Sequence, residues 1–374
     1  MDGVIRVRSG ALPEEGTITW HLCEMWRAGG EALLGEIRDV AGDESGNAYL
    51  LDRQLSVVHV FSPDGQLIRS LSREGEGPGE VRRPGAMLSM PDGSWGLLQG
   101  FPARIVKIRR DGTQAGTLRL GDHTEPAGGL SSLRDGACRG GTLALAGWEG
   151  TQRGSVFERT YFLAIFADDG AEEHRLLSQS VRSDFSKPRY IEKDEYFSGR
   201  DWWTLGPRGC VFAAPERDRY VLHVNGPDGT LLRIVEREFT PCRRTSSEIA
   251  RLAADRNAIV DGRLMEFETE IEDHEPCVVR IHVTDDGDLW VLGNCGHRNQ
   301  PPGIMETHDV FDPQGHFVRQ VAIACPGDAR RDRLFFLHDG RIIMVTGFSG
   351  NAGEDDRSDE GLEHIEIVCY ERQE

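Results

Sequence analysis

Glycine-centred turn signals recurring down the chain, four short strands to each repeat, and a last repeat one strand short together predict an all-β fold. The arrangement they predict is a six-bladed β-propeller of four-stranded antiparallel blades, closed by the N-terminal strand. The turn signals come in two sets. First-hairpin turns fall at Gly46, Gly93, Gly140, Gly209, Gly287 and Gly340, and second-hairpin turns at Gly65, Gly112, Gly170, Gly229 and Gly315. Several read Pro-Asp-Gly, as in Ser62-Pro63-Asp64-Gly65; proline presets φ for the first corner and glycine accepts the positive φ that follows. Gly46 to Gly93 and Gly93 to Gly140 are 47 residues each, within the blade period of roughly 40–50.

In chain order, Thr17-Ile18-Thr19-Trp20-His21-Leu22 alternates as a strand does and precedes the first repeat. The first repeat reads as strands Ile37–Gly42, Ala48–Asp52, Val57–Phe61 and Leu67–Leu71. Residues 176–199, between the third and fourth repeats, read as irregular. Residues 240–275, between the fourth and fifth, read as a helix capped by Ser246 or Ser247, with Ile249, Leu252, Ala253, Ile259, Leu264 and Phe267 on its apolar face. That helix is a packed insertion, so 1–374 is one domain. The last repeat has strands near 332–337, 341–346 and 364–370 and lacks a fourth. Residues 17–22 are expected to supply it, which leaves no open sheet edge.

Composition narrows the partners. With 62 acidic against 43 basic residues the net charge is −19, which argues against a nucleic-acid backbone or an anionic membrane surface. The balance fits a cationic or neutral ligand better, and the partner expected is a small molecule or a peptide met by a monomer. No apolar run approaches the length of a membrane span. The start, Met1-Asp2-Gly3-Val4-Ile5-Arg6, lacks the basic and apolar regions of a signal peptide, so the chain reads as cytoplasmic as encoded, or exported if a leader has been removed. Eight cysteines are scattered singly with no Cys-x-x-Cys pair, and are expected to be reduced thiols; Cys210, Cys277 and Cys369 lie in apolar strand-like runs.

Val57-Val58-His59-Val60-Phe61-Ser62-Pro63-Asp64-Gly65, followed by Arg73-Glu74-Gly75-Glu76-Gly77-Pro78-Gly79-Glu80 and Pro84, resembles NHL-repeat-like six-bladed propellers. In those proteins a Gly-x-Gly-Pro-Gly-x-aromatic link carries the chain into the next blade; Val81 stands here where the aromatic is usual. The resemblance implies the fold, while such propellers include scaffolds, sensors, lyases and hydrolases. One enzyme branch, the peptidyl-hydroxyglycine amidating lyases, places a metal-binding His just after the proline of this link. Gly85 and Ala86 follow Pro84 instead.

Antiparallel geometry puts every Pro-Asp-Gly-like turn on one rim and the middle connections and blade-to-blade links on the other. Those middle connections are residues 52–56, 99–103, 147–158, 214–219, 293–305 and 347–363. Binding residues concentrate on long loops held by a rigid scaffold, which selects this second rim. Its candidates for ligand binding are Arg83, Trp148, Trp202, Arg298 and Asp356, with Arg83 and Arg298 as anchors for an anionic or carbonyl group. Arg200-Asp201-Trp202-Trp203 enters the innermost strand of the fourth blade beside the channel; since neighbouring strand residues face opposite ways, one of the two tryptophans belongs to the core.

The leading expectation is a propeller binding a small molecule or peptide over the channel. A second is a lyase or hydrolase with His297 as acid–base residue and Asp355 or Asp356 orienting it or holding a metal. A third is a protein-interaction scaffold. No cofactor is assigned. Cys295 and His297 with Asp355 or Asp356 would suit Zn²⁺, and the acidic run 354–360 would suit Ca²⁺, although it lacks the order of a calcium loop.

Overall fold

The structure, a computed structural model, describes residues 3–29, 34–120, 129–187, 189–256, 258–260, 263–265, 268–348 and 365–373. Four antiparallel four-stranded sheets follow one another in chain order, over residues 37–71, 86–119, 129–184 and 203–237. The fourth gains Ile5–Ser9, paired parallel to Leu231–Arg237. One eight-stranded sheet takes in the strands within residues 278–324, Thr17–Gly29 and the strands within residues 333–372, and two small two-stranded sheets pair Arg189–Ile191 with Glu268–Glu270 and Ala258–Val260 with Arg263–Met265.

The turn chemistry read from the sequence is realised. The amide of Gly46 donates to Asp43, Gly65 to Ser62, Gly93 to Met90, Gly229 to Gly226, Gly315 to Asp312 and Gly340 to Leu337. Second strands such as Ala48–Asp52, Trp95–Gln99 and Leu289–Gly293 are buried along their whole length, because sheets pack on both of their faces. Outer strands such as Leu67–Leu71 are mostly exposed. The apolar clusters lie between neighbouring sheets. Tyr49, Leu51, Val58 and Val60 pack on Met87, Leu97 and Val106, and Ala144, Leu163 and Ile165 on Trp203, Leu205 and Val211. Another cluster unites Leu50 and Phe61 of the first sheet with Ile343 and Ile367 of the last strands, so the series closes on itself.

The closing strand differs from the expected one. Leu22–Gly29, and not residues 17–22, lies antiparallel to Glu366–Arg372, while Thr17–His21 pairs parallel to Gln320–Ala324. Packing sets this register: Trp26 is 7 % exposed and stacks on Phe61 at 5.9 Å, whereas Trp20 settles against Trp290 at 4.8 Å.

Three local readings also change. Residues 147–158 are no loop. Thr142–Arg153 and Val156–Phe166 run as a long hairpin, with Trp148 opposite Tyr161. The segment 176–199 is partly regular: Glu172–Asp184 is a strand and Glu192–Ser198 a 3₁₀ helix. The helix of the 240–275 insertion, α1, covers only Ser246–Ala254. Its cap is Thr245, not Ser246 or Ser247: the Thr245 hydroxyl accepts from the Glu248 amide at 3.2 Å and the Glu248 carboxylate from the Thr245 amide at 2.8 Å. Beyond it Ala258–Val260 and Arg263–Met265 pair as antiparallel strands, so the helical reading does not extend to Ile259 and Leu264; Phe267 lies outside the described residues.

Cys242 and Cys295 form a disulfide, against the expectation of eight thiols. They are 53 residues apart in sequence, and the insertion brings them together. Cys277 and Cys369 are buried as expected; Cys210 is half-buried. No helix among the described residues is long and apolar enough to cross a membrane.

Candidate functional site

Each innermost strand starts at the rim of the middle connections, so charged residues near those starts face one another across the axis. Arg200, just before the fourth sheet, donates to Asp135 of the third at 2.9 and 3.2 Å, and reaches the carbonyl of Arg38 in the first at 3.4 Å. Arg333 of the last strands forms a two-pronged pair with Asp201 at 2.6 and 2.9 Å. Arg280 pairs with Glu306 at 3.2 Å, and His308 bonds the same carboxylate at 3.0 Å. Asp39 accepts the amide of Met87 from the second sheet at 3.0 Å. The channel mouth is thus packed with opposed charges.

Electrostatics there are perturbed. Burial pulls Arg38 down to about 10, helped by Arg200, Arg53 and Arg333 and opposed by Glu36. Burial holds Asp39 and Asp135 above the ordinary aspartate range against the pull of Arg200. At Asp201 burial acts in the same sense, but Arg333 and Arg280 outweigh it and keep the carboxyl low. Burial likewise opposes ionisation of Glu306, yet Arg280 and His308 bring it down to about 2.

The residues singled out from sequence do not assemble into this cluster. His297 bonds Glu275 at 2.6 Å and its side chain is 8 % exposed. Arg298 is taken up by Glu275 at 3.0 Å and Glu248 at 2.9 Å, so its charge is already neutralised and it is no free anchor. At Glu275 burial raises the carboxyl, and the His297 hydrogen bond and the His297, Arg298 and Arg244 charges overcome that and lower it. Together with the disulfide, and with Asn294 accepting from the Cys242 amide at 3.1 Å, these bonds fasten the connection after Leu289–Gly293 to α1.

Trp202 is 3 % exposed and donates to the Gly199 carbonyl at 2.9 Å, so it belongs to the core, as does Trp203. Trp148 is half-buried, edge-on to Phe157 at 5.8 Å and beneath Arg159 at 5.4 Å. Arg83 stands exposed on the rim, its amide bonded to Ser56 at 2.9 Å. Asp355 and Asp356 lie outside the described residues. Cys295 is spent in the disulfide, which removes the thiolate of the expected Zn²⁺ set. Among the described residues no three His, Cys, Asp or Glu side chains are grouped to hold a metal ion.

Sequence reasoning placed Arg200 and Asp201 near the channel but missed Arg38, Arg280 and Arg333. The available signal was an arginine within the first three residues of the innermost strands Ile37–Gly42, Val278–Val283 and Arg333–Phe336. Off the axis, a cavity of about 440 Å³ lies between Arg8, Asp218, Tyr220, Glu236 and Phe239.

Successive four-stranded antiparallel sheets, packed face to face and closed by the first long strand onto the last, define a β-propeller. Comparison with solved structures agrees. A Bacteroides fragilis protein named as exported superposes with a TM-score of 0.51 at 12 % identity, over 98 % of this chain and 99 % of that one. A streptogramin B lyase gives 0.43 at 9 % identity over 94 % of this chain and 98 % of its own. A calcium-binding regucalcin from Agrobacterium tumefaciens gives 0.44 at 12 % identity over 95 % of each. At these identities the likeness speaks for the fold alone, and the last two are too loose to argue from. No family model and no curated protein matches the sequence.

Proposed function

We propose that the chain is a six-bladed propeller, NHL-like in its first link, that binds a small molecule or peptide over the channel mouth on the rim of the middle connections. The blade count is supported by a division of the eight-stranded sheet. Residues 278–324 make one antiparallel set of four, residues 22–29 with 333–372 make another, and the junction between them is the parallel pairing of Thr17–His21. Val81 supports the link: it is fully buried where an aromatic would sit.

The observation that carries the function is the convergence of Arg38, Arg200, Arg280 and Arg333 with their carboxylates at one mouth. Perturbed titratable groups gathered in one place mark binding sites more often than ordinary surface does. A lyase or hydrolase built on His297 has less support, because the ring is bonded to Glu275 and nearly closed off. The disulfide favours the exported alternative, since such bonds persist in oxidising compartments. A monomer with neither nucleic acid nor membrane as partner completes the reading.

The test is a thermal-shift panel of organic acids, phosphates, amino acids, dipeptides, sugars and amines, followed by hydrogen–deuterium exchange with each binder. Binding should protect the peptides around Arg38, Arg200, Arg280 and Arg333. The reading fails if no probe binds, or if protection falls on the opposite rim of glycine turns.

A further inference from the structure

Resting on that reading, we infer that the ligand is an anion, a small molecule bearing a carboxylate or phosphate, and that Arg38 is the residue that receives it. The arginines at the mouth are unequally paired. Arg200, Arg280 and Arg333 each donate to a carboxylate at 3.3 Å or less. Arg38 has only Glu36, at 3.5 Å, and Glu36 is shared with Arg53 at 3.4 Å. Among the described residues the Arg38 guanidinium makes no hydrogen bond; its Nε is enclosed without an acceptor, as are those of Arg280 and Arg333, but those two bond carboxylates through their other nitrogens. The side chain is 15 % exposed, so water replaces little of what is missing. A largely desolvated cation with no hydrogen-bonded carboxylate is costly, and such a group in a native fold calls for an explanation.

Two further observations fit an anion. Arg38 is the extra residue where the pairing of Ile37 with Asp52 shifts to that of Asp39 with Leu51. A bulge of this kind re-aims a side chain and is common beside binding sites. Next to it is a recess of about 10 Å³ between Glu36, Arg38, Val345 and Phe348, which is room for about one oxygen atom. The planar fork of a guanidinium matches two oxygens of a carboxylate or phosphate, and the neighbouring Arg200 and Arg333 add positive potential.

Inorganic phosphate and citrate, titrated calorimetrically into the whole chain at fixed ionic strength, test this. At least one should bind saturably, with the stronger arm telling phosphate from carboxylate chemistry. Arg38→Gln should weaken it tenfold or more, and Arg208→Gln, in an exposed turn on the other rim, should stay within twofold. If Arg38→Gln does not fold, Arg38→Lys serves: it keeps the charge, loses the fork, and should weaken binding several-fold. Unchanged affinity in whichever Arg38 variant folds overturns the assignment. Should sugars or amines from the wider panel bind and protect the mouth while neither anion binds, the anion proposal falls and the channel reading stands. If nothing binds at all, both fall.

Discussion

Breaking the pair that spans the axis should destabilise the whole propeller, and the cost can be sized. Arg333 and Asp201 are 132 residues apart and joined by two hydrogen bonds, with side chains 17 % and 29 % exposed. Asp201→Asn removes the charge and leaves Arg333 facing Arg280 and Arg200, both of which already act against its ionisation. Removing one partner of a buried pair costs about 3–5 kcal/mol, and partial exposure puts this case near 3. With about 2.1 cal/mol/K of unfolding entropy per residue, 374 residues give about 0.8 kcal/mol/K, so the melting temperature should fall by about 4 °C. Arg333→Met alone should also destabilise, by stranding Asp201. The double variant, with neither charge, should recover at least half of either loss, because the large cost comes from leaving one buried ion unpaired and here neither remains. Thermal unfolding followed by tryptophan fluorescence completes the cycle. A drop under 1 °C for Asp201→Asn, or a double variant no better than the worse single one, would refute the argument that opposed charges hold the axis.

The disulfide should show as six titratable thiols in denatured, unreduced protein and eight after reduction. Its loss in Cys242→Ser/Cys295→Ser should cost about 2–4 kcal/mol, since the closed loop spans 53 residues, and should speed hydrogen exchange in Ser246–Ala254. Eight thiols without reductant would remove it. Glu306 predicts an acid limb in stability. Its carboxyl lies at about 2 against an ordinary 4.5, so its contribution is complete above about 4.5 and is lost as pH falls towards 2. The gap corresponds to roughly 3 kcal/mol. Urea midpoints measured from pH 6 to pH 2.5 should fall less steeply in Glu306→Gln; an identical slope would show that the group is not held ionised.

The path from sequence to site was uneven for identifiable reasons. The turns were legible because their determinants are local: at Gly65, φ is +83° and a Cβ would stand 2.7 Å from Trp26, so the fourth turn residue must be glycine. The stretch around Trp148 misled because Gly150 and Gly154 suggest a loop, whereas its partners Tyr161 and Phe157 come from the next strand. Arg298 looked like a free anchor because Glu275 and Glu248, which neutralise it, lie 23 and 50 residues away.

The chain's local chemistry, glycine and proline in turns and alternation in strands, determined by itself that this is a β fold of repeated hairpins that closes with its N-terminal region. Backbone preference and side-chain period act over a few residues, and both are written in order. Tertiary structure alone decided that residues 22–29 do the closing, that Cys242 meets Cys295, and that Arg38 is left without a full partner among paired arginines. Those outcomes depend on which distant groups the ring brings within a few ångströms, and no pattern along the chain encodes that distance.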